Sequence, residues 1–423
     1  MLIVAVDRIT PRIRYVFDRI KDFRQIEIEL IENIENQQNT NVYRYSQNLA
    51  ETEIGLKASP LLYNEELVKE DGIYQEILCF NGISDPLASV FYHLSRMEEY
   101  HYSNYDKHGR FQAKDSFVEK YGLGKKLMTE RWIDAFLQDY EKQTKTSVSA
   151  KKVPLEFTLT FDIDNAYAFK GKPFLRQCAS LVKDVIRLDF VRFSARIYTL
   201  LGLRKDPYDT YQKMEEYAKK TNLRLFWLLG DYGTFDKNLP NNAPKHLRLI
   251  QKTGTKFPIG LHPSYASNAS DKALSKEKRI LDKTLNTNIL SSRQHFLKLQ
   301  FPTTYQRNIN AGFQEDFTLG FGDKLAFRAG TLQVFPFFDL TKNQQENYWI
   351  FPFAYMDGTL KDYLHLSVEE GKKEIQELID EAQLFGGNFI AIWHNETISE
   401  WHNWRGWSQL IDYTIAQIHE VRH

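Results

Sequence analysis

LEFTLTFDIDNAY, residues 155–167, is the stretch on which the reading of the fold turns. Its first seven residues read as a β-strand, and the strand runs directly into Asp162-Ile163-Asp164. In extended backbone, positions i and i+2 point the same way, so both carboxylates can reach one locus. Two bare carboxylates there repel unless a cation sits between or beside them. One of them can ligate a divalent metal while the other stays free as a base; the simpler alternative is a turn or helix-cap pair before Asn165. Two other strands end in the same manner. KFPIGLH (256–262) finishes on His262, and NFIAIW (388–393) runs into His394 and Asn395. A fourth, LRLFWLLG (223–230), leads into Asp231 and Tyr232.

Helices alternate with these strands. The pattern predicts a long helical region over roughly 173–203, then helices in 206–222, 275–286 and 367–385. The last of these has a capping-box pair, Ser367 and Glu370, and Gly386-Gly387 stops it. Such alternation implies parallel strands with helices outside, as a barrel or an open sheet. In either architecture the C-terminal strand ends form one rim, where sites are built. Three apolar strands that each deliver Asp or His to that rim are the most informative feature of the sequence.

Composition bounds the rest. The chain has 423 residues, 42% hydrophobic and 26% charged, ordinary values for a globular protein with a sizeable core. Its 55 Lys and Arg balance its 55 Asp and Glu, which argues against attachment to nucleic acid by bulk charge. Nor is there the carboxylate-rich two-metal cluster of a nuclease. Cys79 and Cys178 cannot make a disulfide framework or a four-thiolate zinc site. The start, MLIVAVDRITPRIRYVF, reads as strand then helix rather than as a signal peptide. The longest uncharged apolar runs fall well short of the ~18 residues of a spanning helix. The expectation is a soluble protein of the cytoplasm.

Two units are expected, 1–145 and 150–423, joined by the polar, lysine-rich EKQTKTSVSAKK (141–152). The first opens with a strand at 2–6, followed by a polar Glu/Asn-rich run over 26–43. Its sharpest element is SDPLASVFYHLSRMEEY (84–100), a helix capped by Ser84 or Asp85. The nearby Arg96, Glu98, Glu99, Asp106, His108 and Arg110 read as a solvated helix end with local ion pairs.

Taken in order, LTFDIDNAY, GLHPSYAS, SSRQHFL and AIWHN resemble the motifs of the polysaccharide deacetylase (NodB-homology) family. The closer resemblance is to its large bacterial branch with an extra N-terminal domain, which 295–331 and 84–111 also resemble. It covers about 153–423 well and the N-terminal part more loosely. It implies a distorted (β/α)7 barrel of the NodB-homology type, preceded by a smaller α/β domain. It further implies metal-dependent removal of acetyl groups from an N-acetylated or O-acetylated sugar in bacterial surface-glycan metabolism. On the matching positions, Asp162 is the base, Asp164 and His262 are metal ligands, Arg293 positions the base, and His394 is the general acid. The family's second-motif His has no counterpart, because Ala266 stands there. His295 falls where the common pattern has proline, and from that departure it is expected to replace the missing ligand. The cofactor implied is one divalent ion, zinc first, with cobalt, nickel or iron as alternatives. Two other functions stay open: a non-catalytic glycan-binding protein on the same fold, favoured by Ala266, and a metal-dependent amidohydrolase acting on a small molecule.

Further candidates surround this set. Arg328, in FRAGT (327–331), is expected to pair with Asp316 or with substrate. Asp231 and Tyr232 can bind sugar hydroxyls or cap a turn, and Trp393 offers an aromatic face or a core residue. From 172 to 205, eight Lys and Arg stand against Asp184 and Asp189 among many apolar residues. Such a segment can lie on an anionic membrane, or serve as an outer barrel helix with a basic solvent face.

Overall fold

The computed structural model describes residues 1–32 and 42–420, so much of the Glu/Asn-rich run lies outside the described residues. A four-stranded parallel sheet opens the chain: β1 (Leu2–Val6), β2 (Ile28–Glu32), β3 (Tyr43–Ser46) and β4 (Gly55–Lys57), in the order β2-β1-β3-β4. A small antiparallel sheet follows, made of β5 (Gly72–Tyr74), β6 (Ile77–Phe80) and β7 (Ile83–Ser84). The helix Pro86–Leu94 comes next. Asp85 caps it, its carboxylate accepting from Leu87 N and Ala88 N at 3.0 Å each. All nine residues of that helix are buried.

The remaining strands form one curled sheet of nine. They are β8 (Leu155–Ile163), β9 (Asn222–Leu228), β10 (Ile259–His262), β11 (Ser291–Ser292), β12 (Glu315–Asp316), β13 (Phe335–Asp339), β14 (Gln344–Ile350), β15 (Tyr355–Met356) and β16 (Gly387–His394). Their order is β13-β14-β12-β11-β10-β9-β8-β16-β15. All neighbours are parallel except β13 and β14. The expected alternation is therefore present, while the seven-stranded barrel appears as an open half-barrel of nine strands. β8 and β16 lie side by side, one strand in from the β15 edge, with His394 opposite Asp162.

Local sequence explains the elements that flank this sheet. The helix Val368–Phe385 starts on Ser367, with both capping-box bonds made to Glu370. Gly386 ends it at φ +77°, and a Cβ there would lie 1.7 Å from the Val153 carbonyl oxygen, so only glycine lets β16 start beside β8. The expected single helical region over 173–203 is instead two helices, Phe174–Ile186 and Phe190–Leu200. They are joined at Leu188 (φ 55°), and Asp189 caps the second by accepting from Arg192 N at 2.9 Å.

The first 145 residues pack directly on the sheet. Tyr15 donates to the Pro336 carbonyl at 2.8 Å, Phe91 meets Phe338 with ring centroids 5.0 Å apart, and one apolar core continues through both. Of the charged cluster expected to be solvated, Arg96, Glu99 and His108 are buried and Glu98, Asp106 and Arg110 are half-buried. Arg96 is 0% exposed and pairs with Glu98 and Glu99, and Glu99 in turn holds Arg328. Charges this dry persist only when paired.

Candidate metal and acid-base site

The curl of the sheet converts neighbouring strand ends into one pocket. β8 delivers Asp162 and, just past its end, Asp164; β10 ends in His262; β11 leads into Arg293 and His295; β16 ends in His394. The pocket holds about 220 Å³, and its lining includes Asp162, Asp164, His262, His295 and His394.

Asp164, His262 and His295 each offer one ligand atom, and these atoms lie within 4.8 Å of one another. His262 Nδ1 lies 2.6 Å from the Arg293 carbonyl, which can only accept. Nδ1 therefore carries the proton in the neutral ring, and Nε2 turns its lone pair toward Asp164 Oδ1 at 3.4 Å. His295 repeats the arrangement. Its Nδ1 lies 2.9 Å from Asp236 Oδ1, and its Nε2 faces Asp164 Oδ2 at 3.5 Å. Asp164 Oδ1 is buried with no hydrogen-bond partner. Acceptor atoms that converge with no donor between them fit a cation, and one carboxylate with two imidazoles suits a three-ligand divalent site.

The electrostatics agree. Burial opposes charge on His295, but Asp164 and Asp236 outweigh it and push its pKa up to about 9. Burial likewise would raise Asp164, yet the nearby His295 and, more weakly, His394 hold it well below the usual carboxylate range. The pocket thus calls for positive charge at its centre.

Two further pairs flank the cluster. Arg293 is fully buried and donates from Nη1 to Asp162 Oδ1 at 2.9 Å and from Nε to the Phe317 carbonyl at 2.9 Å. Its plane lies over the Phe226 ring, 4.3 Å from the centroid. On the other side, His394 Nδ1 sits 2.9 Å from Asp357 Oδ1, and the His394 backbone N–H donates to Asp357 Oδ2 at 2.8 Å. Burial would lower His394; Asp357 overrides it, and the pKa stands well above the ordinary histidine value. His394 Nε2 points inward, 3.9 Å from Asp164 Oδ2. A proton acceptor, a cation cradle and a proton donor therefore share one cleft.

The structure thus brings together Asp162, Asp164, His262, Arg293, His295 and His394. It does not bring the other four expected residues to the pocket wall. Arg328 is buried and pairs with Glu99, not with Asp316, whose carboxylate is taken by Thr318 and Tyr305. Asp231 is turned to solvent and paired with Lys276, and Tyr232 is exposed beneath Arg176. Trp393 is fully buried in the core, since it alternates with His394 along β16. Asn395, next to His394, donates to the carbonyls of Asn165 and Tyr208 and not to the imidazole.

Three residues of the pocket escape sequence reasoning. Asp236, on the loop after β9, bonds His295 and also accepts from the Tyr265 and Ala266 backbone N–H groups at 2.9 and 3.3 Å. β9's contribution thus lies five residues beyond the expected Asp231. That loop approaches the one after β10 closely, and a Cβ on Gly230 would lie 2.4 Å from Ser264 Cβ. Asp357, just past β15, holds His394. Arg110 reaches the pocket wall from the N-terminal part, with its Nη1 donating to the Phe296 carbonyl at 3.4 Å. Phe296 and Leu297 occupy left-handed backbone at φ 60° and 54°, a strained pair that starts next to His295. The MDG of 356–358 and the DKHGR of 106–110 carry no strand or spacing signal that marks them.

Comparison with known proteins adds little beyond this. A family of unknown function, DUF7033, matches residues 2–145. A search of curated proteins finds no match. Among solved structures, a Mycobacterium smegmatis protein named as a polysaccharide deacetylase is 13% identical, covering 64% of this chain and 88% of its own, at a TM-score of 0.39. Puue allantoinase is 12% identical over 64% of this chain and 84% of its own, at 0.37. The polysaccharide deacetylase Bc1974 from Bacillus cereus is 10% identical over 64% of this chain and 89% of its own, at 0.30. Likeness at this level carries no argument about activity, so the chemistry has to be read from the pocket itself.

Proposed function

We propose that this chain is a metal-dependent hydrolase that removes an acetyl group from an N-acetylated or O-acetylated sugar of a bacterial surface glycan. The observation that carries the reading is the convergence of Asp164, His262 and His295, with Asp164 Oδ1 buried and unpartnered, between an Arg-held carboxylate and an Asp-held imidazole. One divalent ion, zinc by first choice with cobalt, nickel or iron as alternatives, would be held by these three residues and would supply Lewis acidity toward the acyl carbonyl. Asp162, fixed by Arg293, accepts the proton of the attacking water. His394, kept a donor by Asp357, delivers a proton from Nε2 to the leaving nitrogen, which departs poorly as an anion. Phe296, Leu297 and Met356 line the same pocket and give it an apolar wall.

The pocket volume, about 220 Å³, is below the range of about 300–1,000 Å³ of drug-sized sites, which suits the acetylated end of one sugar. The same volume favours one second reading, amide hydrolysis on a small molecule. The proposal also keeps two units, 1–145 and 150–423, with the first lending Arg110 to the pocket wall; the family match over 2–145 supports that division.

The test is metal content by elemental mass spectrometry, with acetate release from acetylated sugars, on wild type, Asp164→Ala, His262→Ala and His295→Ala. About one divalent ion per wild-type chain, with ion and acetate release lost in all three variants, is the expected result. No ion in the wild type after reloading with zinc or cobalt would overturn the proposal, and turnover of cyclic amides without acetate release would move it to the second reading.

A further inference from the structure

The two helices Phe174–Ile186 and Phe190–Leu200 are inside out. Towards the protein the first buries Gln177 and Asp184, and the second buries Ala195, Arg196 and Thr199. Arg196 and Asp184 form an ion pair there at 2.7 Å. The large apolar side chains face outward. Among the described residues, twelve of the nineteen exposed large hydrophobics lie between 174 and 203. Leu175 is 81% exposed, Ile186 75%, Leu188 73% and Leu203 73%. An outer barrel helix buries its apolar stripe and exposes its polar one. A contiguous apolar surface presented to water marks an interaction site.

Charge indicates what covers it. Beneath the apolar face lies a cavity of about 490 Å³ lined by Lys172, Arg176, Lys183, Arg187, Arg192 and Arg196, with Lys237 at its edge. Asp184, Asp189 and Glu396 offset only part of that charge. Lys172 is half-buried among these cations, and desolvation together with Arg176 and Arg196 drives its pKa down to about 8, a measure of the crowded positive field. A protein partner's interface core is depleted of charge. Apolar side chains edged by cations match instead the boundary of an anionic bilayer, with acyl chains beside phosphates.

We propose that this helical hairpin docks the protein on an anionic membrane surface, its apolar face in the headgroup boundary and lipid phosphates in the basic cavity. Docking does not depend on the reaction proposed above. Its consequence for substrate does rest on that reading. Asn165 and Glu396, which line the basic cavity, adjoin Asp164 and His394, so the docked face adjoins the catalytic pocket. The sugar would then be one presented at the membrane.

Flotation with vesicles tests this. The full chain should float with phosphatidylglycerol/phosphatidylcholine vesicles and not with phosphatidylcholine alone. Leu175→Ser/Leu188→Ser/Leu203→Ser and, separately, Lys183→Glu/Arg187→Glu should each cut binding at least tenfold, with unchanged circular dichroism. Hydrolysis of 4-nitrophenyl acetate, a soluble probe, should be the same in both variants as in wild type, so failure of docking and failure of the hydrolase reading are separable. Absence of binding to anionic vesicles, or equal binding by the variants, would overturn the proposal. So would a wild-type dimer that the triple serine variant converts to monomer, which would make a second copy of the chain the occupant.

Discussion

Replacing Arg293 with methionine strips the guanidinium from a carboxylate that has almost no access to water. Asp162 is 2% exposed and Arg293 0%. Breaking one side of a buried pair costs about 3–5 kcal/mol, because the partner is left charged and dry. At about 2 °C per kcal/mol, the low end for larger chains, Tm should fall by about 6–10 °C. The chemistry should suffer separately. Without the guanidinium that fixes it, Asp162 is no longer held where it can take the proton of the attacking water. Loss of a general base costs about 10²–10⁴-fold. Hydrolysis of 4-nitrophenyl acetate by Arg293→Met should therefore drop by about that factor at neutral pH. The double variant Asp162→Asn/Arg293→Met, which removes both charges, should be more stable than the sum of the single effects predicts by more than 1 kcal/mol. Additivity within about 0.5 kcal/mol, or wild-type activity in Arg293→Met, would refute the reasoning that this pair is a held base.

Three further outcomes follow from the same geometry. His394→Ala should lose at least 10²-fold on an N-acetylated sugar but under tenfold on 4-nitrophenyl acetate, whose nitrophenolate leaves without protonation; equal losses would exclude His394 as the acid. Asp236→Asn should weaken metal affinity about 10–100-fold in chelator competition, since the charge that orients and polarises His295 is gone; an unchanged affinity would detach Asp236 from the site. Burial pushes Glu277 up from 4.5 to about 7 while Ser264 donates to it, so between these values the folded chain holds a proton that the unfolded chain releases. Stability should therefore fall as pH rises through that window, by on the order of 3 kcal/mol at most, and Glu277→Gln should flatten the Tm-against-pH curve there; an identical slope in the variant would discard this account.

The site was legible where strands deliver it. Asp162, Asp164, His262 and His394 follow runs whose pattern names both the strand and its end. Beyond a strand of two residues, Arg293 was reachable only through the resemblance of SSRQHFL, and His295 through the alanine at position 266. The residues that hold these groups were not. Asp236 is 59 residues from His295 and Asp357 is 37 from His394, each in a loop with no periodicity. Arg328 and Glu99 are 229 apart, so the chain gives no sign that one neutralises the other. Asp231 lay at the expected rim and faced away, because a strand's end fixes where a loop begins but not where it turns.

What the sequence by itself determined is what neighbouring residues decide: strand β8 and its two carboxylates, the Ser367 cap, the stop at Gly386, and the basic, apolar character of 172–205. These depend on backbone preferences and hydrogen bonds reaching four residues or fewer. Only the tertiary structure decided what those features face. The curl of nine strands set Asp164 within 3.5 Å of imidazoles that arrive from β10 and the loop after β11. Packing of the first 145 residues turned a solvated-looking charge cluster into a buried or half-buried one and carried Arg110 to the pocket. The hairpin, whose composition suited an outer helix and a membrane helix equally, took up its inverted orientation because Asp184 and Arg196 satisfy each other on its inner side. Which face of an amphipathic segment is buried depends on the partners that the rest of the chain provides, and those are set in three dimensions.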